Sequence, residues 1–232
     1  MSPADSHRPS VLAHQRFVAD QESFADLDLA QRFQRIHDTN LWGAAASTSG
    51  LGSELDATAT LRTELPRLFR QLGVTSLLDA PCGDAGWIGH ADLGVRTVGI
   101  DIVPALIESL RARAAAGGIE GEYHLADITR DTLPRCDAVL CRDCLVHLSF
   151  ANIERAVANF RRSGATWLIA TTFPEWQTNA DCEDGDWRAL NFERAPFRWG
   201  PPAALLNENC MEAGGGWRDK SLGAWRLADI GE

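Results

Sequence analysis

The spacing of hydrophobic and polar positions changes along the chain, and its first part has the spacing of helices. Leu29, Phe33 and Ile36 recur at helical intervals and predict an amphipathic helix. A second apolar stripe over residues 57–72 predicts another helix, which Gly73 can end. The segment that precedes the first predicted strand is therefore expected to be helical.

From residue 76 onward, short apolar runs alternate with helical patterns. The runs predict five strands, at 76–80, 96–103, 122–128, 136–142 and 165–173. Two more runs near the C-terminus, joined by a glycine-rich turn, predict a hairpin. This alternation predicts an α/β fold: a doubly wound, mostly parallel sheet of seven strands, with an antiparallel C-terminal hairpin strand and N-terminal helices.

The chain is predicted to form one domain with three parts. Residues 1–26 are polar and irregular and are interpreted as a tail or clasp, residues 27–73 as an N-terminal helical cap, and residues 74–232 as the core. Within the core, segment 174–203 is polar, aromatic and rich in proline, and it is too long for an ordinary connection. We therefore interpret it as an insertion that builds a pocket.

Composition narrows the classes of partner. The net charge of −10 disfavours nucleic acid as a partner, and no apolar run is long enough to span a membrane. The N-terminal stretch lacks the apolar region of a signal peptide, so a cytoplasmic location is expected. The oligomeric state stays open between monomer and homodimer.

The six cysteines include one CxxC pair, Cys141 and Cys144. A zinc site would need a second pair of ligands at matching spacing, and the sequence has none. No metal is therefore predicted. The cysteines are interpreted as small buried apolar side chains, with a metal or redox role as the alternative.

Acidic residues stand at the ends of the predicted strands. Open α/β sheets bind ligands at the carboxyl ends of their strands, and the first four strands end at or beside Asp79, Asp101, Asp127 and Asp143. A turn that contains Gly83 and Gly86 follows the first strand and lets a ligand approach the backbone closely. These ends predict a ligand site at one edge of the sheet.

The chemistry of these residues indicates the ligand. Asp101, at the end of the second strand, can accept hydrogen bonds from both hydroxyls of a ribose, and Asp127 can accept one from an adenine amino group. Asp79 and Asp84 flank the glycine turn, which disfavours a diphosphate and suits a cation. Ribose, adenine and positive charge together describe S-adenosylmethionine. A dinucleotide is the alternative, and the glycine spacing argues against it.

Four stretches carry a family resemblance: "LLDAPCGDAGW", "VGIDIVPALIE", "HLADIT" and "LCRDCLVHLSF". They resemble the motifs of class I, Rossmann-like, S-adenosylmethionine-dependent methyltransferases, although Pro81 and Cys82 stand where the usual first motif has another glycine. Further stretches, including "TNLWG", "STSGLGS", "TTFP", "WRALNFERAPF" and "KSLGAWRL", are similar to a bacterial subgroup linked to sugar modification and secondary metabolism, of which the streptomycin-type aminosugar N-methyltransferase is an example.

The resemblance implies a set of cofactor-binding residues. The turn would wrap the methionine part, the second and third strand ends would hold ribose and adenine, and the fourth strand end would face the sulfonium. The set is Trp42, Asp79, Ala80, Pro81, Cys82, Gly83, Asp84, Trp87, Asp101, Ile102, Asp127, Ile128, Cys141 and Arg142. The structural alternatives are a plain tight turn, acids that cap helices, and core residues.

Two further sets are predicted for catalysis and for the methyl acceptor. Asp143 and His147 lie four residues apart and are the candidate bases, with a helix-capping acid and a packed imidazole as the alternatives. Polar groups with tryptophan suit a sugar. The predicted acceptor residues are Ser49, Asn179, Asp181, Trp187, Arg188 and Asn191, and the predicted lid over the cofactor is Trp42, Gly43, Ser49 and Gly50.

The predicted function is methyl transfer from S-adenosylmethionine to a small polar acceptor. The favoured acceptor is the amine of an aminosugar or sugar nucleotide in secondary metabolism, because the candidate pocket residues include several acids. Sugar O-methylation, with His147 or Asp143 as base, is the close alternative. An NAD-dependent oxidoreductase and a non-catalytic sensor are more remote ones.

Overall fold

A seven-stranded sheet forms the centre of the computed structural model, which describes residues 8–231. The strand order is β3-β2-β1-β4-β5-β7-β6, in which β7 alone runs antiparallel to its neighbours. The predicted fold class, including the antiparallel C-terminal hairpin strand, is confirmed. The strands are β1 Ser76–Asp79, β2 Arg96–Asp101, β3 Glu122–Leu125, β4 Ala138–Cys141, β5 Trp167–Thr172, β6 Ala204–Asn207 and β7 Ser221–Arg226.

Helices precede the sheet and cover it. The α-helices are α1 Leu12–Ala19, α2 Leu29–Asp38, α3 Ala59–Leu72, α4 Pro104–Ala115, α5 Phe150–Arg162 and the single turn α6 Glu212–Gly215. Short 3₁₀ turns lie at Gln21–Phe24, Leu51–Ser53, Ile88–His90 and Leu145–His147. None of the described helices is long and apolar enough to cross a membrane.

Local signals in the sequence set the helix ends. Asp28 and Gln31 form a capping box at the start of α2, and the Ser149 hydroxyl accepts the Asn152 N–H at the start of α5. Gly73 ends α3 in the left-handed region, at φ 69°. Short-range chemistry therefore explains why the boundaries of these helices follow from the sequence.

Two apolar clusters cover the two faces of the sheet. Leu78 and Val139 pack with α5 on one face, while Leu77 and Leu140 pack with α3 and α4 on the other. Successive strand residues enter opposite clusters because side chains alternate across a sheet. Both helix layers thus hold β1 and β4, and the site lies at their carboxyl ends.

Of the two interpretations of the N-terminal segment, an irregular tail or a clasp, the described residues contradict the irregular tail. Within residues 8–26, the chain forms α1 and a 3₁₀ turn. Val11, Phe17 and Phe24 are buried, and the rings of the two phenylalanines lie 4.7 Å apart. The helix was missed because it is short, and its buried side chains pack against other parts of the chain. Residues 1–7 lie outside the described range.

Candidate active site

A cavity of about 1000 Å³ lies at the carboxyl ends of β1, β2 and β4. Twelve of the fourteen residues predicted to bind the cofactor line it. The exceptions are Ala80 and Cys141, which are fully buried in the apolar cluster under α5. Their prediction as cofactor contacts is not supported, because both side chains face the core rather than the cavity.

The glycine turn after β1 is held from both sides. Gly83 adopts a positive φ of 54°, and its N–H donates to Asp101 Oδ2 at 3.0 Å. A Cβ at this position would overlap the Ser49 side chain, whose hydroxyl accepts the Asp84 N–H at 2.9 Å. The Asp84 carboxylate in turn accepts the Ser47 hydroxyl at 2.8 Å. Asp84 therefore ties the predicted lid to the turn.

Asp101 is fixed by the backbone and still has capacity to bind a ligand. Its Oδ1 accepts the Val103 N–H at 2.9 Å, and its Oδ2 accepts the Gly83 N–H. Burial raises the pKa of this carboxyl to about 6, and the backbone hydrogen bonds oppose the rise. Because an ionised carboxylate offers about four acceptor sites, two remain for the hydroxyls of a ribose.

Asp79 is a buried acid that faces the same cavity. Within the described residues its carboxylate has no hydrogen-bond partner. Burial raises its pKa to about 8, repulsion from Asp101 adds to the rise, and Arg142 opposes it. A cationic group in the cavity would stabilise the ionised form of Asp79, so this residue suits a ligand that carries an ammonium or sulfonium.

Binding of S-adenosylhomocysteine is therefore expected to strengthen as the pH rises from 6 to 8. The ammonium of the ligand favours ionised Asp79, whereas the free protein holds Asp79 protonated below its pKa of about 8. At low pH, Asp79 must release its proton when the ligand binds, and this lowers the affinity by up to about tenfold per pH unit. Calorimetry in buffers of different ionisation enthalpy should detect the proton. Asp79→Asn should abolish both effects, and an unchanged pH dependence would contradict the assignment.

A second cavity, of about 570 Å³, adjoins the first. The two cavities share four lining residues, here called the junction: Trp42, Ser49, Asp143 and His147. Aromatic rings of Phe173, Trp187 and Trp217 line the second cavity, and Val11 and Ala13 at the start of α1 contribute to it. The N-terminal segment therefore helps to build this cavity.

Asp143 is committed to ion pairs. Its Oδ2 lies 2.6 Å from Lys220 Nζ and 3.3 Å from Arg142 Nη1. Burial opposes ionisation of Asp143, but the two cations outweigh it and hold its pKa below the usual range. The residue also adopts a left-handed backbone, at φ 49°. Asp143 is therefore a weak base that stays ionised at the junction.

His147 is a neutral imidazole of low basicity with a free lone pair. Its Nδ1 lies 2.8 Å from the Asp186 carbonyl oxygen, which only accepts, so Nδ1 carries the proton and Nε2 carries a lone pair. Burial lowers the pKa of the imidazole to about 4, against the hydrogen bond to Asp186. Its ring packs 4.7 Å from the indole of Trp42. At neutral pH His147 therefore presents an uncharged, oriented ring.

Beneath the junction lies a buried ion network. Arg142 contacts both carboxylate oxygens of Glu208, at 3.2 Å through Nε and at 2.7 Å through Nη2. Lys220 Nζ lies 3.5 Å from Glu208 as well as 2.6 Å from Asp143. Arg142 also donates to the carbonyl oxygen of Gly52 at 2.8 Å. The network thus connects β4, the hairpin β6–β7 and the 3₁₀ turn Leu51–Ser53.

Glu208→Gln is expected to lower the free energy of unfolding by about 3 kcal/mol, because it leaves Arg142 buried without its main counter-charge. Chemical denaturation at neutral pH measures the change. Glu193→Gln, which alters an exposed acid, should change stability by less than about 0.5 kcal/mol. A loss below about 1 kcal/mol for Glu208→Gln would show that the network is not cooperative.

Four predicted acceptor residues do not line either cavity. Asn179 donates to the carbonyl oxygens of Asn191 and Ala195, and the buried Asn191 bonds the main chain that follows β5. Asp181 accepts an N–H at the start of α5, and Arg188 donates to the loop between β4 and α5. Because segment 174–203 has no helix or strand, side chains form the hydrogen bonds that its backbone N–H and C=O groups need. The prediction that these four bind the acceptor is corrected accordingly.

Several lining residues were not predicted from the sequence. Three come from α2, whose inner face meets the first cavity, and three from the C-terminal hairpin and its turn, which meet the second. They are Leu29, Phe33, His37, Glu212, Trp217 and Lys220. The apolar stripe of α2 was visible in the sequence, but that stripe does not distinguish a face that contacts the core from one that contacts a ligand.

Comparison with known proteins assigns the fold. The methyltransferase domain of bacterial CtHen1-C matches with a TM-score of 0.53 at 12% identity, over 75% of this chain and 99% of that one. N-methyltransferase NodS from Bradyrhizobium japonicum WM9 matches with a TM-score of 0.51 at 16% identity, over 76% of this chain and 98% of that one. PH0226 protein from Pyrococcus horikoshii OT3 matches with a TM-score of 0.43 at 20% identity, and the present chain spans only 58% of the length of that protein. No curated protein matches.

The strand order, the site at the strand ends and these matches define the Rossmann-like fold of class I methyltransferases. Residues 77–165 match the family model described as a methyltransferase domain. The chain therefore carries a methyltransferase domain whose cofactor is S-adenosylmethionine. The predicted resemblance, enzyme class and cofactor are confirmed.

The residues of the first cavity fit this cofactor. Asp79 lacks a partner for its buried carboxylate, and Asp101 retains acceptor capacity, as described above. The buried indole N–H of Trp42 also has no hydrogen-bond partner in the described part of the chain, and this residue lines both cavities. These groups suit a ligand with positive charge, hydroxyls and acceptor atoms.

Proposed function

We propose that this protein transfers the methyl group of S-adenosylmethionine to a small polar acceptor bound in the second cavity. The favoured acceptor is the amine of an aminosugar or sugar nucleotide in secondary metabolism. The observation that carries the proposal is the junction, because it adjoins the cofactor cavity on one side and a separate aromatic cavity on the other.

The chain positions the two reactants and excludes water. When bound, S-adenosylmethionine supplies an electrophilic methyl group, and the protein supplies orientation. Asp101 and Asp79 would hold the ribose and the cationic part. The predicted lid is tied to the glycine turn, because the Ser49 hydroxyl accepts the Asp84 N–H. Alignment of two bound reactants alone is worth on the order of 10⁵ in effective molarity.

The second cavity supports a sugar-like amine as the acceptor. The aromatic side chains of Phe173, Trp187 and Trp217 line this cavity, and of these three Trp187 is the one that is partly exposed. A neutral amine can donate a hydrogen bond to the lone pair on Nε2 of His147, which would orient the amine for transfer.

Sugar O-methylation is the second candidate, and the state of His147 favours it. A hydroxyl needs a base more than an amine does, and Nε2 of His147 carries a lone pair at neutral pH. His147 therefore suits an amine and a hydroxyl alike, so the identity of the acceptor determines whether nitrogen or oxygen is methylated.

A methyl-transfer screen tests the proposal. The purified protein is incubated with S-adenosylmethionine carrying a deuterated methyl group and with aminosugars, neutral sugars and sugar nucleotides, and products are detected by mass. We expect labelled product from an amine-bearing sugar. Label on neutral sugars alone would support O-methylation. Preferential binding of NAD over S-adenosylhomocysteine in calorimetry, without any labelled product, would overturn the proposal.

A further inference from the structure

The ionised groups beside the second cavity balance one another, except for one. Asp143 and Glu208 supply two negative charges, and Arg142 and Lys220 supply two positive charges, all within one network of contacts. The network is therefore neutral as a whole. Glu212, which also lines the second cavity, lies outside this set.

Glu212 has no ion pair or side-chain hydrogen bond within residues 8–231. Its side chain is partly buried at the single turn α6, between the two strands of the hairpin. Burial raises the pKa of this carboxyl, Lys220 opposes the rise, and Asp143 adds to it. No cation among the described residues forms an ion pair with this acid. A cationic ligand can therefore supply its counter-charge.

Aromatic rings line the cavity together with this acid. Trp187 and Trp217 pack with their ring centroids 4.9 Å apart, and Phe173 lies 5.4 Å from Trp217. The indole N–H of Trp217 donates to the carbonyl oxygen of Pro9 at 3.2 Å, which fixes that ring. The guanidinium of Arg8 already lies over Trp217, 5.1 Å from its ring centroid, so the partly buried Trp187 is the ring that can stand with the acid beside an organic cation.

Glu212 is not one of the junction residues. It lines only the second cavity, whereas the four residues of the junction line both. The cofactor's methyl group must reach the acceptor across the junction. A group of the acceptor that contacts Glu212 is therefore a different group from the one that is methylated.

We propose that Glu212 is a specificity residue that binds a positively charged group on the acceptor, away from the methylated atom. The acceptor is then a compact ring amine that also presents a second group, a hydroxyl or another amine, at the junction. This inference rests on the proposed function, since it takes the second cavity as the acceptor site. It adds to the proposed function that the acceptor is positively charged and that this charge lies beside Glu212.

Binding measurements test the inference without turnover. The complex with S-adenosylhomocysteine is titrated by calorimetry at neutral pH with three ring amines, glucosamine, galactosamine and 2-aminocyclohexanol. The neutral counterparts glucose, galactose and cyclohexane-1,2-diol are titrated in parallel. We expect at least one amine to bind about tenfold more tightly than its counterpart. Glu212→Gln should remove that preference and leave the affinity for S-adenosylhomocysteine unchanged.

Two variants keep the test decisive. Glu212→Asp retains the charge and should retain part of the preference, while Glu193→Gln, an exposed acid outside both cavities, should behave as the wild type. The inference is overturned if no amine is preferred by the wild type, or if Glu212→Gln keeps the preference. Absence of S-adenosylhomocysteine binding would instead refute the proposed function, so the two failures are distinguishable.

Discussion

Replacement of Asp101 by alanine is expected to weaken the binding of S-adenosylhomocysteine by about 10³-fold. The carboxylate has two acceptor sites left for the ribose after its hydrogen bonds to Gly83 and Val103. Two charge-assisted hydrogen bonds at roughly 2 kcal/mol each give a loss of about 4 kcal/mol, and every 1.4 kcal/mol is about tenfold in Kd. Calorimetry or equilibrium dialysis measures the affinity.

Glu108→Ala is the matched control, because it removes an exposed acid from α4, the helix that follows Asp101. Its affinity for S-adenosylhomocysteine should equal that of the wild type. Thermal unfolding of Asp101→Ala must also be measured, since the glycine turn loses an acceptor. A folded variant that binds within about threefold of the wild type would show that Asp101 does not hold the ribose.

The sheet and the cofactor end of the site were predictable because their signals are local. Alternating side chains in β1 and β4, the αL glycine after α3 and the cap at Ser149 each involve residues close in sequence. The acids at the strand ends follow from the rule that parallel strands end on the same edge. Such features require no knowledge of how distant segments meet.

The second cavity was only partly predictable because it is built from distant segments. Glu208 lies 66 residues from its partner Arg142, and α1 closes the cavity with residues from the opposite end of the chain to Glu212. Polar residues were also misassigned, since Asn179 and Asn191 satisfy the backbone of a long irregular segment. A sequence alone does not distinguish a polar group that binds a ligand from one that binds the main chain.

The structure also separates the two candidate bases that the sequence offered. Asp143 and His147 both stand at the junction. The ion pair with Lys220 keeps Asp143 ionised but weakly basic, whereas burial keeps His147 neutral. Proton acceptance is therefore expected from the imidazole, and Asp143 is expected to orient Lys220 and the acceptor.

Replacement of His147 by asparagine is expected to lower kcat by about 10²-fold with an amine acceptor and towards about 10⁴-fold with a hydroxyl. The asparagine amide can still donate to the Asp186 carbonyl oxygen, but it offers no basic nitrogen at the junction. The proton must then pass to solvent, so the rate of the variant should rise with hydroxide concentration.

The wild-type rate should show no loss from His147 until the pH falls towards its pKa of about 4, because the imidazole is neutral above that value. His124→Asn changes a half-exposed histidine on β3 that pairs with Glu122, and it should leave kcat unchanged. Equal melting temperatures for wild type and His147→Asn would exclude a folding effect. A variant that keeps more than a tenth of kcat, with an unchanged pH profile, would assign His147 to packing against Trp42 alone.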